Sequence, residues 1–195
     1  MRIVVIGSSG LIGSAVVRAL SPQHEVIGAS RASGVDIEDK ASLAAFFDRT
    51  GPIDALVVAA GTARFGPMDT LSEADFALTF ASKVMGQINA ARAALPHIRD
   101  GGSITLTSGS MGEHPVAGGS AAGMANGALN SFVLNAALEM PRDIRINVVA
   151  SPWLRETIVH YGLDMAGPPA DLVADHYVRS ITGTMKGNIL RPPAE

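Results

Sequence analysis

The chain is notable first for what it lacks. Among 195 residues there is no cysteine, so disulfides and thiolate metal sites are excluded. The absence of cysteine is compatible with a reducing cytoplasm. Lys and Arg number 15 against 18 Asp and Glu, and no basic stretch marks a nucleic-acid surface. No apolar run reaches transmembrane length, and the first one is too short for a secretion signal. We therefore expect a cytoplasmic protein that binds neither nucleic acid nor membrane.

Apolar runs and helical periods alternate along a chain that is 47% apolar and 17% charged. This alternation predicts βαβ units, and hence a parallel sheet covered by helices on both faces. We expect an α/β fold: a single Rossmann-type three-layer sandwich with a doubly wound parallel sheet, formed by one domain over residues 1–195. The predicted strands are 3–6, 24–29, 55–60, 103–107, 145–150 and 187–190. The predicted helices are 11–20, 39–49, 73–98, 120–140 and 171–181, and the Pro/Gly-rich piece 162–169 is predicted to be a mobile loop.

A glycine-rich turn joins the first strand to the first helix. Its first glycine allows a sharp turn, the second lets a pyrophosphate approach the backbone, and the third lets the helix pack close to the sheet. The helix N-terminus offers N–H groups and a positive dipole end to phosphates. We predict that a dinucleotide binds on the turn. Its residues are Gly7, Ser8, Ser9, Gly10, Leu11, Ile12 and Gly13.

The end of the second strand indicates which dinucleotide binds. A carboxylate there would bind the ribose 2′-hydroxyl of NAD, but the chain reads Ala29-Ser30-Arg31. Ser30 and Arg31 are therefore predicted cofactor residues, because a guanidinium pairs well with a 2′-phosphate. This favours NADP over NAD. The alternative is that Arg31 is a solvated surface arginine.

With these residues placed, the chain resembles the short-chain dehydrogenase/reductase family over nearly its whole length. Further segments carry the resemblance, namely Val35-Asp36-Ile37, Ala59-Ala60-Gly61, Ser103 to Ser108, and Arg145 to Pro152 with Thr157 beyond it. The resemblance implies that Asp36 meets the adenine, that Ala59, Ala60 and Gly61 line the adenosine side, and that Pro152 and Thr157 border the nicotinamide. Trp153 stands where the family has glycine.

The active-site pattern of that family is incomplete. Its Tyr-x-x-x-Lys would fall on Ala122 and Asn126, and its active-site asparagine is replaced by Lys83. Of the four family positions, only the serine remains, as Ser108, or as Ser110 if the loop shifts. Ala122 has no proton to give, although the Asn126 amide can still bind the nicotinamide ribose. Positioned acid–base groups contribute about 10²–10⁴ in rate, so this loss weakens ordinary carbonyl reduction unless another group substitutes.

Lys83 is the natural substitute, since its ammonium can polarise a carbonyl or donate a proton. The alternative is a structural lysine that tethers Ser108 or a backbone carbonyl. The sequence around Lys83 and Ser108 resembles a tyrosine-less branch of the family. His114 and Tyr161 are lesser candidates. The simpler interpretation is an exposed loop histidine for His114 and a packed loop residue for Tyr161. No spacing of His, Asp and Glu suggests a metal site.

Two functions remain open on the sequence. The first is an NADP-dependent oxidoreductase acting on a small carbonyl or alcohol, with Ser108 orienting the carbonyl and Lys83 polarising it. The second is a catalytically silent NADP-binding sensor or interaction protein. The helix 120–140 is rich in small residues, which favours a homodimer or homotetramer over packing onto its own sheet alone. Few residues follow Thr157 before the last helix, so we expect an open site, a small substrate or no substrate at all.

Overall fold

The computed structural model describes residues 1–194, which form one six-stranded sheet with helices on both faces. All five strand pairs are parallel, in the order β2-β1-β3-β4-β5-β6. The strands are β1 Arg2–Ile6, β2 Glu25–Ala29, β3 Ile53–Val58, β4 Ile98–Gly109, β5 Arg145–Ser151 and β6 Ile189–Leu190. The helices are α1 Leu11–Leu20, α2 Lys40–Thr50, α3 Glu73–Thr79, α4 Gly86–Ala94, α5 Ser120–Glu139, α6 Arg155–Tyr161 and α7 Ala170–Thr182.

Alternate residues of each central strand face opposite helical layers. In β1, Val4 and Ile6 join the core under α2, α4 and α5, whereas Ile3 and Val5 join the core under α1 and α7. All four side chains are at most 1% exposed. A strand buried on both faces reads as a continuous apolar run, which is why the sequence pattern was informative here. The predicted three-layer, doubly wound fold is confirmed.

The direction of winding reverses between β1 and β3. From β1 the chain crosses to β2 on one side, and from β3 onward it adds β4, β5 and β6 on the other. In such sheets a crevice opens at the carboxyl ends of the two strands that flank the reversal. Gly7 follows β1 and Ala59 follows β3, so the predicted glycine turn lies at this crevice.

Two predicted elements differ from the structure, and one helix was not predicted. The helix predicted over 73–98 is interrupted by a π-helical turn at Phe80–Met85 and ends at Ala94, followed by a 3₁₀ turn at Leu95–His97. Strand β4 begins at Ile98 and not at 103, because residues 99–102 form an irregular excursion from the register with β3. Helix α6 was not predicted at all. Its seven residues are too few to show a clear helical period.

The end of α7 is held to the sheet by Arg145, the first residue of β5. Its guanidinium donates to the carbonyl oxygens of Ser180 (2.8 Å), Ile181 (2.9 Å) and Met185 (3.1 Å). The last carbonyls of a helix have no partners within the helix, and a cation also suits the negative end of its dipole. Arg145 therefore acts as a side-chain cap for α7.

Candidate functional site

The glycine turn is built on close backbone contacts that exclude side chains. Gly7 has a φ of +89°, and a Cβ there would overlap the carbonyl oxygen of Ala59. A Cβ on Gly13 would overlap the carbonyl of Gly7, which is how α1 comes so near the sheet. The N–H groups of Gly7 and Ser8 both donate to the Ala29 carbonyl oxygen, at 2.8 and 3.1 Å. The turn is therefore fixed against the carboxyl ends of β2 and β3.

The N-terminus of α1 is left open by this turn. Its N-cap residue, Gly10, supplies no side-chain acceptor, and the first turn contains no acidic residue. Ser9, Gly10 and Leu11 are exposed, with Leu11 at 49%. Unpartnered N–H groups and the positive end of the helix dipole suit a pyrophosphate. The residues present thus fit the phosphate part of a dinucleotide.

The predicted adenosine-side residues lie beside the turn. Ser30 follows β2 directly, and Arg31 opens a 3₁₀ turn over 31–33 with its side chain 65% exposed. The Arg31 guanidinium is 3.9 Å from the Glu38 carboxylate, which is a weak contact that a phosphate could replace. Asp36 is half-buried, and its carboxylate accepts from the Glu38 N–H at 2.9 Å.

The loop after β3 is held by the π-helical turn. The buried Ser82 hydroxyl accepts from the Thr62 N–H (3.1 Å), and the buried Thr79 hydroxyl accepts from the Arg64 N–H (3.0 Å). Gly61, at a φ of +132°, packs against the backbone of Lys83, where an added Cβ would lie 2.9 Å from the Lys83 Cα. Lys83 is thereby brought next to Gly61, just beyond the carboxyl end of β3.

The pKa of the Lys83 amine is shifted far from its usual value. Its side chain is half-buried, and burial lowers the pKa of Lys83 from 10.5 to about 8. Within residues 1–194, neither a hydrogen bond nor a charged neighbour offsets the burial of Nζ. An amine in this state holds its proton near pH 7 and releases it readily, which suits a proton donor or an electrophile.

At the end of β4, the hydroxyl proton of Ser108 is not free to orient a substrate carbonyl as the sequence predicts. Ser108 is 2% exposed, and its hydroxyl donates to Oδ1 of the buried Asn130 on α5 at 2.7 Å. Its proton is therefore directed into the protein. Ser110 begins the 3₁₀ turn 110–112 and is half-buried.

Asn126 occupies the space above Gly109. A Cβ on Gly109 would lie 2.8 Å from Nδ2 of Asn126, so a larger residue there would displace this amide. Asn126 is 1% exposed, yet its Oδ1 has no hydrogen-bond partner among the described residues. An unpaired buried amide oxygen costs about 1–3 kcal/mol unless a ligand or water bonds it. The orphaned oxygen is a second observation that fits a bound hydroxyl-bearing ligand, such as a ribose.

Two side chains that sequence reasoning missed brace the end of β4. The amide of Gln87, which is fully buried, accepts from the Thr107 N–H (2.8 Å) and donates to the Thr107 carbonyl oxygen (2.7 Å). The Thr107 hydroxyl donates to the Val58 carbonyl oxygen (2.7 Å) and is hydrogen-bonded to the Tyr177 hydroxyl (2.7 Å). Burial raises the pKa of Tyr177, which therefore stays protonated. Neither Gln87 nor Tyr177 belongs to a recognisable motif.

Comparison with known proteins decides the family. The family model described as enoyl-(acyl carrier protein) reductase matches residues 11–178, most of the chain. The chain belongs to the short-chain dehydrogenase/reductase family. This is a family of oxidoreductases, and the resemblance predicted from the sequence is confirmed at that level.

Individual relatives agree with this family. A crystal structure of the protein lin1944 from Listeria innocua is 40% identical, with a TM-score of 0.94 over 98% of each chain. A small-chain dehydrogenase crystallised in complex with NADPH is 27% identical, with a TM-score of 0.88 over 98% of this chain and 95% of that one. The 2,3-dihydro-2,3-dihydroxybenzoate dehydrogenase of Escherichia coli (strain K12) is 36% identical over 130 residues, 63% of this chain. The chain spans about half the length of that curated relative, 52%.

Ala122, at which the sequence resemblance predicts the family's tyrosine position, is 1% exposed and lies on α5 one turn before Asn126. The segment after β5 keeps Pro152 half-buried and places Thr157 in the first turn of α6. Trp153 packs against Phe65 from the loop after β3, with ring centroids 5.8 Å apart. The loops after β3 and β5 therefore meet at the carboxyl edge of the sheet.

The two lesser candidates lie at the surface. Tyr161, the last residue of α6, is 67% exposed and contacts the ring of His160. His114 is exposed in the loop after β4. Over residues 1–194 no cluster of three or more His, Asp or Glu is placed to hold a metal ion. In the same range, no helix combines the length and apolar character needed to cross a membrane.

Proposed function

We propose that this family member binds NADP(H) across the carboxyl ends of β1, β2 and β3 and interconverts a small carbonyl compound and its alcohol. The observation that carries the catalytic part is Lys83, an ammonium half-buried beside Gly61 with no charged neighbour among residues 1–194. The bound cofactor would supply the hydride.

On the cofactor side, the turn Gly7–Gly13 would hold the pyrophosphate through its backbone N–H groups. Arg31 would exchange its weak contact with Glu38 for a charge-assisted bond to the 2′-phosphate. The Asn126 amide would bond a ribose hydroxyl, which would satisfy its orphaned Oδ1. The complex of a related dehydrogenase with NADPH supports this assignment.

On the substrate side, Lys83 would replace the missing tyrosine. Its ammonium would donate a hydrogen bond to the carbonyl oxygen and stabilise the negative charge that develops there. A pKa of about 8 allows Nζ to pass its proton to that oxygen near neutral pH. Ser108 would still help to orient the carbonyl group. It would donate no hydrogen bond to the substrate, because its own proton is bonded to Asn130.

The cofactor part is tested by thermal stabilisation with NADPH, NADP, NADH and NAD. A ligand that binds only the folded state adds about 2.7 kcal/mol at a hundredfold excess over its Kd. We expect Arg31→Ala to lose most of the preference for the 2′-phosphorylated forms. Arg18→Ala, which removes an exposed arginine at the far end of α1, should keep that preference. If none of the four nucleotides shifts the transition, the proposal of cofactor binding is wrong.

The catalytic part is tested by turnover of a panel of small aldehydes and ketones with NADPH. Lys83→Met should lower kcat by at least about tenfold while it leaves nucleotide binding nearly intact. An unchanged kcat would remove Lys83 from the mechanism. Nucleotide binding without turnover of any carbonyl would instead favour a silent NADP-binding protein.

We also propose that the chain self-associates through α5. Three large apolar side chains on this helix remain exposed, namely Met124 (41%), Leu134 (47%) and Leu138 (86%). Exposed apolar side chains gathered on one element are a common mark of an interface. A second copy of the chain would cover them in the predicted homodimer or homotetramer.

A further inference from the structure

We propose that Gln87 is a positioning residue for Lys83: its buried amide joins the π-helical turn that carries Lys83 to the end of β4. This inference rests on the role proposed above for Lys83. Gln87 itself is 0% exposed, so it offers no surface to a substrate or a cofactor.

The amide of Gln87 takes the place of a strand residue beside β4. The paired register of β3 and β4 ends at Val57 and Thr105, two residues before Thr107. Beyond that point, the Thr107 N–H and carbonyl group find their partners in Oε1 and Nε2 of Gln87. A primary amide has one acceptor oxygen and a donor nitrogen, so it can reproduce both bonds of a peptide group.

The same nitrogen reaches the main chain of Lys83. Nε2 of Gln87 donates a second hydrogen bond to the Lys83 carbonyl oxygen at 3.0 Å. On another side, the Lys83 Cα and Cβ pack against Gly61, which has no side chain to hold them off. The backbone of Lys83 is thus held between the end of β4 and the end of β3.

The side chain of Lys83 has no such restraint of its own. Nζ lacks a hydrogen-bonding or charged partner within residues 1–194, so its location is set by its main chain and by the packing that buries it. Loss of the Gln87 bonds would let the turn Phe80–Met85 move away from β4. The ammonium would then gain contact with water, and its affinity for a proton would rise.

The experiment measures the proton affinity of Lys83 directly, in the absence of any nucleotide. The chain has three lysines, and Lys40 and Lys186 are exposed. Labelling with an amine-reactive reagent across a pH series, read by peptide mass spectrometry, yields a midpoint for Lys83 with the other two as internal references. In Gln87→Met we expect this midpoint to rise by about one pH unit or more, a tenfold gain in proton affinity. The reference midpoints should not move.

Tyr177→Phe is the matched control, because it removes a buried hydrogen bond to Thr107 without touching Gln87 or Lys83. It should leave the Lys83 midpoint in place. If Gln87→Met does not fold, the same measurement is made on Gln87→Asn. This variant keeps an amide, but its side chain is too short to reach both Thr107 and the Lys83 carbonyl oxygen. A folded Gln87 variant with an unchanged midpoint would overturn the inference, as would an equal rise in Tyr177→Phe. Failure of the proposed function is separate, because it would show in nucleotide binding and turnover, which this assay does not use.

Discussion

Replacing Lys83 by methionine should stabilise the protein at neutral pH, and the gain should vanish in alkali. The native amine has a pKa of about 8, against 10.5 for an ordinary lysine. Below pH 8 both the native and the unfolded chain carry the proton, and the native state bears the full cost of a poorly solvated charge. Between pH 8 and 10.5 the native state releases the proton first, so the wild-type protein gains stability relative to the variant as pH rises.

The size of the effect follows from the same two values. A difference of about 2.5 pH units corresponds to about 3 kcal/mol, at 1.36 kcal/mol per unit. Lys83 keeps some surface, and water that reaches Nζ reduces this figure. We therefore expect Lys83→Met to be more stable than the wild type by about 1–3 kcal/mol at pH 7. Methionine is unbranched and flexible, so it fills the same space with little strain.

The assay is equilibrium unfolding in urea of both proteins at several pH values from 6 to about 10.5. The difference in unfolding free energy between the two proteins cancels other titrating groups that are common to them. Lys186→Met, at an exposed lysine, is the control and should show no such pH-dependent difference. A Lys83→Met variant that is less stable at pH 7, or a difference that does not change with pH, would refute the reasoning.

Three further predictions concern the scaffold. Arg145→Met leaves the carbonyl oxygens of Ser180 and Ile181 at the end of α7 without this donor, and should lower the unfolding free energy by about 2–4 kcal/mol in a urea titration. Leu138→Asp should shift sedimentation velocity towards a monomer with no loss of the folded state, and a wild-type protein that is already monomeric would contradict self-association through α5. Asp143 has a φ of +55°, so Asp143→Gly should raise the unfolding free energy by about 0.5 kcal/mol, seen as a slightly higher thermal midpoint. A lower midpoint would show that the Asp143 side chain matters more than its backbone.

The sequence predicted the sheet and the glycine turn better than the contacts around Lys83 and Ser108. The glycine turn could be predicted because its strand, turn and helix are adjacent in the chain. The spacing of Gly7, Gly10 and Gly13 therefore indicates the backbone conformation directly. The sheet was equally readable, since strands buried on both faces are continuous apolar runs. In such segments, the local sequence pattern is enough to predict where the segment lies in the fold.

The surroundings of Ser108 and Lys83 depend on contacts between segments far apart in the chain. The Ser108 hydroxyl is bonded to Asn130, 22 residues away, and no spacing rule indicates that pair. Gln87 reads as an ordinary polar helical residue until β4 is placed beside it. The π-helical turn that presents Lys83 was not predicted because its six residues are fewer than the about 11–18 over which a helical period can be read.

The π-helical turn also bears on how the site can change by insertion and deletion. A π turn is an α-helix with one residue added, and each residue turns a helix by about 100°. Removal of one residue within Phe80–Met85 would rotate α3 by that angle relative to α4. The hydroxyl of Thr79 would then leave the Arg64 N–H, and the loop after β3 would lose an anchor. The length of this turn is therefore coupled to the position of the loop after β3.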